Sequence, residues 1–311
     1  MKIAVMGTGA LGGYFGGRLA EAGEDVTFIA RGAQLAALRE SGLSIQSPRG
    51  NLKLQPARAT DDAKSIGPVD VVLFTVKLWS AEEAGRALAP LIGRDTAVLS
   101  LQNGVDANEV LARLVGREHL MGAVCYIAAV LDRPGMVQHT GQMARIIFGE
   151  LGGRKTSRAE AFLAACARAR SGFDAELSPD VERAIWEKFV FIVGLSGLTT
   201  RARRSIGPVR SDPDTRALLL DVMREAVAVG RAKGVGLAAK FADERLAFID
   251  TLPPQMTSSM HGDLERGNRL EVKWLSGAVA RLGRELGIET PANRAVYAAL
   301  KLHADGRSAT N

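Results

Sequence analysis

Gly7-Thr8-Gly9-Ala10-Leu11-Gly12 spells G-x-G-x-x-G between the apolar run Lys2–Met6 and a stretch of helical character over 14–22. In that setting the first glycine allows a tight turn, the second lets a pyrophosphate approach the backbone, and the third permits close packing of helix on strand. The start of the helix then offers unpaired N–H groups and a positive dipole end to phosphate oxygens. A glycine turn without a ligand is the plain alternative, and the strand before, helix after and second strand at the right distance argue against it. Arg31 follows the second strand-like run, Asp25–Ala30, roughly where an NAD-specific fold would place Asp or Glu on the ribose hydroxyls. An arginine there would meet a 2′-phosphate, which predicts NADP(H), the alternative being an ordinary surface arginine.

Lys77 (in TVKLW) and Asn103 (in LQNGV) each follow a buried strand-like run. The carboxyl ends of parallel strands face the crevice where ligands bind, so both side chains are expected at a cofactor. Asn103-Gly104 is also a strong turn dipeptide, so a purely local role stays open there. Lys188 sits inside the apolar stretch AIWEKFVFIVGL. Its ammonium either snorkels to solvent or faces a ligand, where it could polarise a carbonyl oxygen and deliver a proton. Ser259 and Glu271 are unremarkable taken alone: Ser258 or Ser259 could cap a helix, and Glu271 could be a surface carboxylate.

Strand-like and helical stretches alternate through the first half. The runs at 2–6, 25–30, 69–76 and 96–101 read as strands, the last two nearly continuous in apolar residues and hence buried on both faces. Helical character at 33–41, 81–91 and 107–115 separates or follows them, which implies βαβ units and a mainly parallel sheet. From Met121 to Glu150 β runs occur without helices between them, suggesting a mixed or antiparallel edge. After Ser178-Pro179-Asp180 the pattern is almost wholly helical, with Ser178 or Asp180 available as a cap. The reading is an α/β protein, a Rossmann-type doubly wound sheet over 1–178 followed by an all-helical domain over 179–311.

These residues together resemble the ketopantoate reductase (2-dehydropantoate 2-reductase) family: the glycine fingerprint, Arg31, VKLW, QNG, WEKF, SSM and Glu271 occur in order and span nearly the whole chain. The resemblance implies a Rossmann domain, a helical C-terminal domain and NADPH-dependent reduction of a 2-oxo acid, with 2-dehydropantoate to (R)-pantoate as the named reaction of pantothenate biosynthesis. It implies that Gly7, Thr8, Gly9, Ala10, Leu11, Gly12, Arg31, Lys77 and Asn103 hold or orient the cofactor. Lys188 would be the proton donor, Ser259 and Asn103 would contact substrate, and Glu271 would assist through cofactor or substrate. One departure stands out. The family's lysine is typically followed by Asn four and eight residues later, where this chain has Ile192 and Ser196. The chemistry is expected to be kept and the substrate pocket to be altered.

Composition narrows the alternatives. The 311 residues are 47% hydrophobic and 24% charged, which excludes a disordered or fibrous chain. Cys125 and Cys166 cannot form a disulfide scaffold or, with scattered histidines, a Cys-rich zinc site, so no metal is expected. No run reaches the roughly 18 to 20 apolar residues of a membrane span. The start resembles a signal peptide only superficially, so a cytoplasmic location is expected. The net charge of +6 suits acidic small molecules, phosphates or nucleic acid, but 5% aromatics leave little for base stacking. The basic run Arg201, Arg203 and Arg204 reads as a solvated loop before an anion site or a nucleic-acid contact. The expected partner is a small-molecule 2-oxo acid, with no nucleic acid and no membrane, and a homodimer is left open. A 3-hydroxyacid or opine-type dehydrogenase and a non-catalytic NADP(H)-sensing module are the competing functions.

Overall fold

In the computed structural model, which describes residues 1–307, the chain forms two units. The first comprises Met1–Gln102 and Ala107–Ala184, the second Asn103–Asp106 and the chain from Ile185 onward. The last four residues of the sequence lie outside the described ones.

The first unit is built on ten strands: β1 (Lys2–Met6), β2 (Asp25–Ile29), β3 (Leu43–Gln46), β4 (Leu52–Leu54), β5 (Ala59–Thr60), β6 (Val71–Phe74), β7 (Ala97–Ser100), β8 (Leu120–Arg133), β9 (Met136–Glu150) and β10 (Asp174–Leu177). They join in one sheet of order β4-β3-β9-β8-β7-β6-β1-β2-β5, with β10 paired to β9. Neighbours from β7 through β6, β1 and β2 to β5 are parallel. Helices α1 (Ala10–Glu21), α2 (Gly32–Glu40), α3 (Ala81–Arg86), α4 (Ala107–Val115) and α5 (Ser157–Arg168) supply the crossovers and cover.

The apolar continuity of the central strands has a simple cause. Ile3 and Val5 belong to one buried cluster and Ala4 and Met6 to another; Val71 and Leu73 divide from Val72 and Phe74 in the same way. Alternate side chains of one strand thus enter cores on opposite faces. Each fully buried Val, Leu or Ile contributes roughly 1.5–3 kcal/mol of hydrophobic stabilisation. The order of strands reverses at β1, with β2 on one side and β6 on the other, so its carboxyl end is the switch point of a doubly wound sheet.

The β runs after residue 120 form a long antiparallel hairpin, β8 with β9. It is not an edge: β9 also carries β3 along Met136–Gln138 and β10 along Arg145–Phe148. The strands β3, β4, β5 and β10 are two to four residues long, too short to show a period.

In the second unit, α6 (Val181–Ala202) runs on from the first and is followed by α7 (Ile206–Ser211), α8 (Pro213–Ala232), α9 (Phe241–Asp250), α10 (Ser259–Arg266), α11 (Ser276–Leu286) and α12 (Pro291–Leu300). The Asp180 carboxylate caps α6 by accepting from the Arg183 N–H at 3.1 Å. The apolar run Phe189–Leu198 that follows Lys188 packs among the other helices, with Phe189, Val190, Val193 and Leu198 fully buried. No helix of the described residues is long and apolar enough to cross a membrane. The arginine run lies at the exposed end of α6, and Arg203 stands 3.9 Å from Glu265.

Candidate active site

The glycine turn sits at the carboxyl end of β1. Gly7 has φ +96°, and a Cβ there would fall 2.8 Å from the Val76 backbone nitrogen, so both conformation and space demand glycine. A Cβ on Gly12 would press into the Gly7 carbonyl and, at 2.5 Å, the Thr75 hydroxyl. Gly9 is different: nothing lies within 4 Å of where its Cβ would be. It is the N-cap of α1 and caps with no side chain, so the first-turn N–H groups, those of Ala10 and Leu11 among them, have no intrahelical acceptor. Tight backbone on two sides with open space at Gly9, at the start of a twelve-residue helix, fits the pyrophosphate of a dinucleotide. Thr8 holds this turn from behind. It is buried, and both its N–H and its hydroxyl donate to the Ile29 carbonyl, at 3.3 and 3.1 Å. Its own carbonyl accepts from Gln34 on α2 at 2.8 Å.

Arg31 is the N-cap of α2, with an exposed side chain that donates to the Glu83 carboxylate at 2.6 Å. Lys77, past the end of β6, is exposed and its ammonium lies 5.6 Å from the centre of the Trp79 ring. Gln102 was missed by sequence reasoning although it lies inside the QNG motif. Its amide donates to the Val76 carbonyl at 2.7 Å and accepts from the Ser100 hydroxyl at 3.1 Å, tying the exits of β6 and β7.

Asn103, Lys188 and Glu271 come together in the second unit. The Lys188 ammonium on α6 donates to Asn103 Oδ1 at 2.9 Å, and Asn103 Nδ2 faces Glu271 Oε2 at 3.4 Å. An ammonium can only donate and a carboxylate only accept, so these neighbours dictate which way the amide is turned. Glu271 is 7% exposed and caps a short 3-10 helix over Val272–Trp274, whose Trp274 N–H returns to the Glu271 carbonyl at 2.9 Å. Lys188 itself is half-buried. Its ammonium is therefore held toward Asn103 rather than simply snorkelling outward.

The segment bearing Asn103 is pinned along its length. Gly104 approaches the Trp274 carbonyl, Val105 packs on the apolar core of the helices, and Asp106 accepts from Arg281 of α11 at 2.6 Å. Burial works against the charge on Arg281, but the Asp106 and Glu285 carboxylates more than offset it and hold its pKa above the usual value. Nothing in the sequence pairs Asp106 with Arg281, which lie 175 residues apart.

Ser259 is the exposed first residue of α10, whereas Ser258 is its cap. Ser258 Oγ accepts from the His261 N–H at 3.1 Å and lies 3.2 Å from Thr199 Oγ1. Thr199 spends its hydrogen on the Leu195 carbonyl at 2.6 Å, so it is Ser258 that donates to Thr199. The start of α10 is thereby fastened to α6. Beyond Lys188 on that helix, Ile192 is half-buried and Ser196 is buried.

Residues 3–153 match the family described as ketopantoate reductase PanE/ApbA, and residues 180–304 match its C-terminal domain. The chain belongs to the ketopantoate reductase family. It is 31% identical over 322 residues to a 2-dehydropantoate 2-reductase of Mesorhizobium japonicum, covering 97% of each chain. It is 32% identical over 305 residues to the uncharacterized oxidoreductase YkpB of Bacillus subtilis, covering 97% of this chain and 99% of that one. Among solved structures it is similar to a PanE/ApbA family ketopantoate reductase from Ralstonia eutropha (34% identity, TM-score 0.88, 98% of each chain). It is likewise similar to a 2-dehydropantoate 2-reductase from Geobacter metallireducens (32% identity, TM-score 0.89, 97% and 99%). This ketopantoate reductase family member is thus an oxidoreductase with a Rossmann-type sheet and a helical C-terminal part.

Proposed function

We propose that the protein reduces a 2-oxo acid to the 2-hydroxy acid with NADPH, 2-dehydropantoate to (R)-pantoate being the reaction its named relatives suggest. Residues 1–178 serve the cofactor and 179–311 the substrate, with Asn103 contributing to both. The single observation that carries the reading is the Lys188–Asn103–Glu271 array: a charged donor held at 2.9 Å by an amide that is itself oriented by a buried carboxylate.

The glycine turn, with its open Gly9 and uncapped helix start, would receive the pyrophosphate, and Arg31 the 2′-phosphate. When bound, the reduced nicotinamide supplies the hydride equivalent. Lys188 hydrogen-bonds the 2-oxo oxygen, stabilises the negative charge that grows there during reduction and transfers its proton to that oxygen. Asn103 keeps the ammonium from swinging away, and Glu271 fixes the amide so that Oδ1 rather than Nδ2 meets it. Lys77 assists at the cofactor. Ser259, exposed at the start of α10, contacts the substrate.

The test is a steady-state screen of 2-oxo acids, 2-dehydropantoate included, following loss of reduced-nicotinamide absorbance with NADPH and with NADH. The expected result is turnover of a 2-oxo acid with lower KM for NADPH. Turnover only of 3-hydroxy acids, or cofactor binding without turnover of any substrate, would refute it.

A further inference from the structure

Between Ala184 and Ile192 the open face of α6 is apolar apart from Glu187 and Lys188. From Ala184 to Ile192 the half-exposed positions are Ala184, Ile185, Glu187, Lys188, Phe191 and Ile192; from Val193 through Thr200 every residue is buried. Going from Lys188 toward the carboxyl end of the helix, a ligand therefore meets Phe191 and Ile192. At about 100° per residue these flank Lys188 one turn on, Ile192 rotated about 40° to one side and Phe191 about 60° to the other. Helical side chains lean toward the amino end, so both project over the turn that carries the lysine. The Phe191 ring is held edge-on to Phe248, 5.7 Å between centres. The polar residues of the next two turns, Ser196, Thr199 and Thr200, are at most 5% exposed. Thr199 lies on the Lys188 stripe and is bonded to Ser258, so the start of α10 is fastened at that end of the stripe.

From this we infer that Ile192 determines substrate specificity, and that the preferred substrate is a 2-oxo acid whose side chain is wholly apolar. The inference rests on the reading of Lys188 as the group that engages the 2-oxo oxygen. With its carbonyl at Lys188, such a substrate lays its side chain on Ile192. A hydroxyl resting on Phe191 and Ile192 would lose its water without gaining a partner from either.

Two keto acids that differ by one oxygen test this: 2-dehydropantoate, and 3,3-dimethyl-2-oxobutanoate, the same skeleton without the hydroxyl. An apolar pocket disfavours an added hydroxyl by up to about a hundredfold, whereas a pocket built to bind it rejects the deoxy compound by far more. The expected result is a kcat/KM at least about tenfold higher for the deoxy compound, a ratio that falls at least about tenfold in Ile192→Asn. Ile192→Thr, β-branched like the original residue though one carbon shorter, reads the same ratio if the asparagine variant does not fold, and Ile192→Leu should leave it unchanged. A loss of helix packing alone would lower both rates together and leave the ratio where it was, which would overturn the assignment. A parent enzyme that prefers 2-dehydropantoate, or shows a smaller ratio, would overturn the pocket while leaving the reductase reading standing. Reduction of neither compound would overturn the pocket, and the reductase reading falls with it only if no other 2-oxo acid of the screen is turned over.

Discussion

Replacing Lys188 by alanine removes the ammonium that lies 2.9 Å from Asn103 Oδ1. The structural cost is small: Asn103 is half-buried, water can take the vacated place, and one lost hydrogen bond is worth about 1 kcal/mol. The catalytic cost is larger. A positioned general acid contributes about 10²- to 10⁴-fold, or roughly 2.7 to 5.4 kcal/mol of barrier. Because the interaction strengthens as charge develops on the oxygen, kcat and kcat/KM should fall together. Nucleotide affinity, measured by fluorescence titration, should change by less than about threefold, because the groups expected to hold it lie in the Gly7–Gly12 turn and at Arg31. Lys188→Arg adds a second arm: it keeps the charge, but a guanidinium does not release its proton near neutral pH, so it should recover only part of the rate. The assay is stopped-flow or steady-state loss of NADPH absorbance under saturating substrate. A folded Lys188→Ala enzyme within tenfold of the parent kcat would refute the proton-donor role and return Lys188 to a structural contact of Asn103.

Arg31→Ala should raise KM for NADPH about tenfold more than KM for NADH, one charged contact's worth, and equal effects on both would remove the 2′-phosphate assignment. The Arg31–Glu83 pair is exposed and competes for the same guanidinium, so Glu83→Gln should lower KM for NADPH by about two- to fivefold. Glu150 is buried, which disfavours its charge, yet the Arg158 fork (2.7 Å to each oxygen) and the Thr156 hydroxyl outweigh that and hold its pKa below the usual carboxylate value. A folded-state pKa below the unfolded one means the ionised pair stabilises fully above about pH 4.3 and is lost as pH falls through the native value. Glu150→Gln should cost about 2–3 kcal/mol in urea melts at pH 7, and much less near pH 3; an equal gap at both would contradict it. Burial pushes the Cys166 thiol up to about 12, so thiol reagents at pH 8 should modify it only in denaturant. Stoichiometric labelling of Cys166 in the folded protein would count against the buried position.

The features fully determined by sequence are local ones. The glycine turn was readable because its strand, its three glycines and its helix are contiguous, and Gly7 and Gly12 are required by contacts that any such strand–turn–helix makes. The parallel core was readable because residues such as Val71–Phe74 enter two cores in alternation, which forces a continuous apolar run. Short strands such as β5 and β10 were not, since two to four residues carry no period and their pairing energy comes from neighbours already in the sheet. Lys188, Asn103 and Glu271 could be singled out through a family resemblance, but spacing alone left each with an ordinary structural alternative. Tertiary structure brings them together across separations of 85 and 168 residues, because α6, the turn after β7 and the short helix at Val272 pack around one polar cluster. It likewise gave the cap of α10 to Ser258 rather than Ser259, through the hydroxyl of Thr199, and gave Asn103–Asp106 to the second unit through Arg281. The physical reason is the same in each case: a turn or a period is paid for within a few residues, whereas the direction of a buried polar side chain is set by whichever distant group can complete its hydrogen bonds.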